Sequence, residues 1–358
     1  MSTVSRSRLS SCALVPALAL GLAGLATPAP AQWQLATVQT RSEFRGLSLV
    51  GDRTAWASGT HGTVARTTDG GISWTVDTVS GASALDLRSI VGLSADVAVT
   101  ASAGAAEQGQ ARIFRTDDAG RSWTQVYETN LKGVFLDALA FWDERHGIAL
   151  SDPVDGTPFL LVTDDGGLHW TRVPPSALPP VLAGEGAFAA SGTCLVVWGA
   201  SDVWIGTGGA AAARVFHSSD RGRTSSASDT PVHAGNAASG IFALAFRDAT
   251  HGVAVGGDYS KPREETANVA ITDDGGRTWR LAKGPLVAAY LSGVSYDVAD
   301  TLLAVGLAGT AVSRDDGESW VAVDTLPLNA VRFGSHDFGI AAGPRGRLAR
   351  WVSARERW

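Results

Sequence analysis

Cysteine is almost absent from this sequence: only Cys12 and Cys194 occur. Cys12 lies in a segment expected to be removed, which leaves one thiol and no internal disulfide in the mature chain. Packing alone must then hold the fold. Cys194 sits in the apolar run Thr193-Cys194-Leu195-Val196-Val197, a place for a buried structural thiol rather than a nucleophile. Charge is sparse too. Charged residues are 18% of the chain and the net charge is −6, so the basic stripe of a nucleic-acid-binding protein is missing.

Several catalytic signatures are also lacking. The histidines at 61, 146, 169, 217, 233, 251 and 336 are scattered, without metal-ligand spacing. No Gly-x-Gly-x-x-Gly follows a strand and opens a helix, and no serine sits in a Gly-x-Ser-x-Gly elbow. Gly206-Thr207-Gly208-Gly209 reads as a turn between strands. No metal and no cofactor are expected.

Long apolar runs are missing except at the start. Arg6 and Arg8 precede the apolar residues 12–26, and Ala29-Pro30-Ala31 offers a small-x-small cleavage pattern. Residues 1–31 therefore read as a signal peptide, with a mature start at Gln32 and a periplasmic or extracellular destination. An uncleaved anchor is the alternative. Leu9-Ser10-Ser11-Cys12 precedes the apolar stretch instead of following it, which speaks against a lipidation site. No later segment is long and apolar enough to cross a bilayer.

What is abundant is glycine, at 42 residues, and tryptophan, at 12. Both belong to a repeat, Ser/Thr-x-Asp-x-Gly-x-Ser/Thr-Trp. It is complete around Asp69, Asp118, Asp274 and Asp315. Around Asp165 the second hydroxyl position holds His169, and around Asp220 the tryptophan position holds Ser225. The aspartates are spaced by 49, 47, 55, 54 and 41 residues, the length of a four-stranded propeller blade. In each repeat the aspartate is expected to accept backbone N–H bonds and fix a turn. The glycine takes a positive φ, and the tryptophan starts the next strand and packs between blades. The repeat lacks the later oxygen ligands of a calcium loop, so a structural role is expected for all of these aspartates.

Apolar strands of small and β-branched residues precede the boxes. One more such strand, Gly339-Ile340-Ala341-Ala342-Gly343, follows the last box. The reading is all-β: a seven-bladed propeller of four-stranded antiparallel blades in a single domain, residues 32–358, at about 47 residues per blade. A six-bladed ring stays open if the weak fourth unit is misread. The last unit lacks an outer strand, and Trp33-Gln34-Leu35-Ala36-Thr37-Val38 resembles one. The N-terminal strand is therefore expected to close the ring, which removes exposed sheet edges.

Let strands a to d run from the channel outward. The boxes are then c–d turns, and the starts of strands a share the opposite face with the b–c loops. Aligned by apolar alternation, the column of a-strand starts places Arg45, Arg88 and Asp137 on successive blades. Blade 4 is ambiguous around Ser191-Gly192. The b–c loops add Asp152, the long segment containing Asp258, Tyr259 and Lys261, and Arg345. Loops on a rigid scaffold are where binding residues concentrate. These are the candidate ligand- or partner-binding residues. The bland alternative is that they solvate the channel mouth and pair with one another, Arg88 with Asp137 for example.

Boxes of this kind occur in sialidases, but the resemblance extends to little else. Arg45, Arg88 and Arg345 could imitate a carboxylate clamp, and Tyr259 lies near Glu264 and Glu265. The Arg-Ile-Pro start typical of that family is absent. Other glycosidases with such boxes use two carboxylates, for which Asp137 with Asp152 or Asp258 are candidates.

Across residues 32–358 the chain resembles the photosystem II assembly and stability factor family of plants and cyanobacteria. The residues that carry this are Phe44-Arg45-Gly46-Leu47, Gly62-Thr63-Val64-Ala65-Arg66 leading into the first box, and the Gly-Ile-Ala and Gly-Val-Ala strands. The resemblance implies a propeller that acts by binding and assembly, with a basic docking patch where Arg45 and Arg88 lie. It covers the repeats and not the loop at 257–268. The resulting expectation is a monomeric, exported, non-enzymatic scaffold for a protein or carbohydrate of the cell envelope, docked opposite the boxes. A glycoside hydrolase is the alternative.

Overall fold

The turns around the repeated aspartates close on themselves through one hydrogen-bond pattern. In the computed structural model, Asp69 Oδ1 accepts from the Ser73 amide at 3.0 Å and Oδ2 from the Ser73 hydroxyl at 2.5 Å. The Thr67 hydroxyl donates to Oδ1 at 2.7 Å and accepts from the Gly71 amide at 3.1 Å. Asp118, Asp165, Asp220, Asp274 and Asp315 repeat this arrangement. At Asp165 the ring Nδ1 of His169 stands where a hydroxyl stands elsewhere, at 2.7 Å from Oδ2. Gly71 has φ +82°, and a Cβ there would lie 2.6 Å from Ile340 on the neighbouring blade. Glycine thus serves both the left-handed turn and the close approach of two blades.

The structure describes residues 1–2, 32–264, 267–287, 289–334 and 338–352. Nearly all of the leader expected over residues 1–31 lies outside them, as do Glu265 and His336.

Seven four-stranded antiparallel sheets form the fold. In chain order, blades 1 to 6 occupy residues 44–78, 87–128, 136–172, 195–230, 239–281 and 293–322. Blade 7 takes its three inner strands from 330–352 and its outer strand from Gln32–Leu35. The Gln32–Leu35 strand pairs antiparallel with Leu348–Val352, Trp33 opposite Trp351. The weak fourth unit is a complete blade, because the Asp220 turn forms without its tryptophan. Each innermost strand packs on the next, and Ala330–Phe333 returns to Phe44–Val50, so the ring is closed.

Tryptophans tie successive blades together. Trp56 of blade 1 donates to the Ser94 carbonyl of blade 2 at 3.2 Å, and Trp204 of blade 4 to the Gly275 carbonyl of blade 5 at 2.8 Å. The middle strands are buried throughout, Thr54–Gly59 and Ala98–Ser102 for example. Strands flanked by neighbours on both faces carry no polar alternation. Cys194 is fully buried, and its apolar surroundings push the thiol pKa far up, which leaves it inert.

Candidate functional site

Strand register creates the mouth opposite the aspartate turns. The innermost strands of blades 1, 2, 3 and 5 each carry an irregularity near their start, between Phe44 and Gly46, Leu87 and Ser89, Leu136 and Ala138, and Ile241 and Ala243. The residues left without a partner are Arg45, Arg88, Asp137 and Phe242. Such an extra residue redirects its side chain out of the ladder. All of these side chains line one cavity of about 440 Å³.

The connection between blades 3 and 4 floors that mouth. Ala189, Ala190, Ser191 and Thr193 are buried. The Ala190 carbonyl accepts from Arg45 Nη1 of blade 1 at 3.3 Å, and the Thr193 carbonyl accepts from the Leu244 amide of blade 5 at 2.9 Å. Glu185 anchors the connection. Its buried carboxylate receives Arg214 Nε at 3.0 Å, the Thr207 hydroxyl at 2.6 Å and the Leu182 amide at 2.7 Å. Gly208 bridges Gly186 and Gly240, and a Cβ there would lie 2.5 Å from the Ser239 carbonyl. Three backbones meet where only glycine fits.

Two walls of different chemistry rise from this floor. One is aromatic and centres on Phe242. Phe188 stacks on it at 3.9 Å, while Tyr290 and Tyr259 meet it edge-on at 4.7 and 6.1 Å. Tyr259 is half-exposed at the rim. The other wall is charged. Arg45 Nη2 pairs with Glu43 at 2.5 Å, and Arg88 Nε with Asp86 at 2.7 Å. Both are i, i−2 pairs at the start of an innermost strand. Asp137 is 1% exposed, and its Oδ2 has no hydrogen-bond partner among the described residues. Burial, and then the neighbouring Asp152 charge, raise the Asp137 pKa well above the carboxylate range, while the nearby Arg88 charge opposes the shift. Burial also pushes Asp152 up to about 6, against one hydrogen bond from the Ala187 amide at 3.2 Å.

The sequence-derived candidates divide accordingly. Arg45, Arg88, Asp137, Asp152 and Tyr259 line the mouth. Arg88 bonds to Asp86, so its direct pairing with Asp137 is corrected. Asp258 is taken up by its own loop: it accepts from the Ser260 amide at 2.8 Å, the Ser260 hydroxyl at 2.6 Å and Asn236 Nδ2 at 3.1 Å, which lower its pKa. Lys261 is exposed and pairs with Glu264 at 3.0 Å, beside the mouth. Arg345 is exposed in a turn at φ +61° and does not line the cavity, so a three-arginine clamp is not assembled.

Sequence reasoning missed Glu43, Asp86, Phe188 and Tyr290. Phe242 stood in the aligned column but was not singled out. Strand alternation places Glu43 beside Arg45 and Asp86 beside Arg88, a signal that could have been read. Phe188 and Tyr290 lie in connections that match no repeat.

The other channel end holds a cavity of about 500 Å³, lined by Leu47, Ile90, Leu139, Leu195, Leu244 and Val294 and also by Arg247, Asp297, Asp300 and Arg332. The six aliphatic residues are one position repeated blade after blade, as core packing requires. The mouth column instead varies around the ring: Arg45 and Arg88 on the first two blades, then Asp137, Thr193, Phe242, Ser292 and Asn329. A position that departs from the repeat is free to be a site, and this is why the mouth is the stronger candidate.

Among the described residues no group of His, Cys, Asp and Glu is placed to hold a metal ion. No helix there is long and apolar enough to cross a membrane.

No protein-family model and no curated protein matches the chain. Solved structures do. A structure of YCF48 bound to D1 peptide matches with a TM-score of 0.63 at 15% identity, over 92% of this chain and 100% of that one. The WD40 β-propeller domain of Doa1 matches at TM-score 0.58 and 12% identity, over 92% of this chain and 99% of that one. A GH74 xyloglucanase from Xanthomonas campestris matches at TM-score 0.57 and 17% identity, over 89% of this chain and 53% of that one. This chain thus spans about half of that enzyme. At these identities the likeness is one of fold, and the fold is used by binding proteins and by a glycosidase alike.

Proposed function

We propose that this chain is an exported, non-enzymatic binding scaffold that docks a protein partner on the mouth opposite the aspartate turns. One observation carries the reading. The mouth gathers aromatic side chains, with Tyr259 half-exposed at the rim, and unpaired carboxylates at positions where the repeat is abandoned, over a connection that reaches across to Arg45 and Leu244. The fold likeness to YCF48 bound to D1 peptide is consistent with a peptide or protein as the occupant. Export rests on the N-terminal pattern of Arg6, Arg8 and the apolar residues 12–26.

A glycoside hydrolase is the second reading, favoured by Asp137 and Asp152 lining one cavity. Against it, both belong to blade 3, on one wall, since Leu136 and Ser151 are register partners. Hydrolysis needs carboxylates flanking the scissile bond, roughly 5–9 Å apart.

The test is a quantitative pull-down from envelope extract. Arg45 and Arg88 hold their own ion pairs, so reversing their charge would disturb the fold. Tyr259→Ala on the rim is the cleaner probe, with Ile72→Ala on the opposite face as control. A partner kept by the control and lost by Tyr259→Ala supports docking at the mouth. Equal capture by both variants contradicts it. Hydrolysis of an oligosaccharide panel that is abolished by Asp152→Asn would establish the second reading instead.

A further inference from the structure

Charges around the mouth do not balance. Two guanidiniums, Arg45 and Arg88, face four carboxylates, and Glu43 and Asp86 already satisfy them. Asp137 and Asp152 form no ion pair among the described residues. Asp137 is nearly inaccessible; the residue borders the cavity, and its buried Oδ2 has no hydrogen-bond partner among the described residues. An isolated buried carboxylate is costly. A fold that keeps one beside a second carboxylate leaves a place for a positive group. The facing wall suits the same group. Phe188, Tyr259 and Tyr290 surround Phe242 at mixed stacked and edge-on angles. Aromatic faces attract ammonium ions, and clustered rings recognise alkylated ones.

We propose that the mouth binds an organic ammonium group, held between the Asp137–Asp152 carboxyl pair and the aromatic cluster around Phe242. The group can be a lysine side chain of a partner or a free small amine. This rests on the reading of the mouth as a binding site and names what it recognises. A neutral sugar would leave uncompensated the charge that Asp152 carries above about pH 6, whereas an ammonium compensates it.

Binding must compete with protons. The groups facing the carboxyl pair are Arg88 with Asp86, Arg45 with Glu43, the Tyr259 and Tyr290 hydroxyls, and the inert Cys194 thiol. Asp152 titrates near neutrality, at about 6. Ammonium affinity therefore falls as pH drops through about 6, and binding at that pH releases a proton.

The experiment is calorimetric titration with matched probes at pH 7.5 and pH 5, using choline against 3,3-dimethylbutan-1-ol and Nα-acetyl-lysine methylamide against its norleucine counterpart. The expected result is that at least one ammonium probe binds ~10-fold or more tightly than its neutral partner, because the site's charge would otherwise go unpaired. Asp152→Asn and Asp137→Asn, each checked for retained folding, should each erase that preference. Preference for the lysine probe alone assigns a partner's side chain, and preference for choline alone assigns a free amine. Equal binding of charged and neutral probes, binding of neither, or a preference that survives both variants overturns the proposal. If no ammonium probe binds but the Tyr259→Ala pull-down loses a partner, this inference falls while docking stands. The reverse outcome removes docking and keeps the ammonium site.

Discussion

Glu185 and Arg214 meet in a buried ion pair, with Nε 3.0 Å from Oε1, that fastens the connection between blades 3 and 4 across the mouth. The Glu185 side chain is fully buried and that of Arg214 is 12% exposed. Removing one partner of such a pair costs roughly 3–5 kcal/mol, because the other charge stays buried alone. Glu185→Ala should therefore lower denaturant stability by about 3 kcal/mol, and Glu185→Ala/Arg214→Met should recover much of it. Equal losses in the single and double variants would show that the pair does not anchor the connection.

Asp137 and Asp152 make a prediction of sign. Both have folded pKa values above the ordinary 3.8, Asp152 at about 6. Between 3.8 and about 6 the folded state holds more protons than the unfolded one, so stability falls as pH rises through that window. For Asp152 the shift corresponds to at most about 3 kcal/mol. Asp152→Asn should flatten the decline, and Asp137→Asn should stabilise the protein at pH 7. Thermal melts across pH 4 to 8 read this directly. Destabilisation by Asp137→Asn at pH 7 would mean that its carboxylate has a partner in the fold.

The aspartate turns work in the opposite direction. Hydrogen bonds from Ser73, Ser122 and His169 help hold Asp69, Asp118 and Asp165 at about 2. Their contribution is present above about 4 and is lost as pH falls towards 2. Acid unfolding should accordingly begin below pH 4. Gly71→Ala meets both a left-handed φ and Ile340 of blade 7, so it should cost more than about 1 kcal/mol. A neutral effect in chemical denaturation would contradict that account of the turn.

Ring closure rests on Trp33. Its ring lies 4.9 Å from Trp351 and 6.4 Å from Phe333, and its Nε1 donates to the Thr310 hydroxyl of blade 6 at 2.9 Å. Trp33→Ala should cost about 3 kcal/mol and speed amide exchange along Leu348–Val352, which would become a sheet edge. Unchanged protection in that strand would show that closure does not depend on it.

The blades were readable because each needs the same turn, and the turn needs Asp, Gly and a hydroxyl at fixed offsets. The fourth unit was the weak one, since Ser225 replaces the tryptophan, yet Asp220 keeps every bond of the turn. Apolar alternation also placed Arg45, Arg88 and Asp137 in one column. What went unread was the i, i−2 pairing that sets Glu43 beside Arg45 and Asp86 beside Arg88, which made the arginines look available when those carboxylates hold them. The aromatic wall was hidden for a different reason. Phe188 and Tyr290 reach the mouth on connections whose course is set by long-range contacts, such as Glu185 with Arg214 and Ala190 with Arg45.

The most direct test of docking at the mouth is site-specific photo-cross-linking in envelope extract. A benzophenone side chain replaces Tyr259 at the mouth rim in one sample and Ile72, 64% exposed on the opposite face, in another. The account predicts one protein, identified by mass spectrometry, cross-linked from position 259 and not from position 72. The same protein captured from position 72 alone, or equally from both, would contradict it.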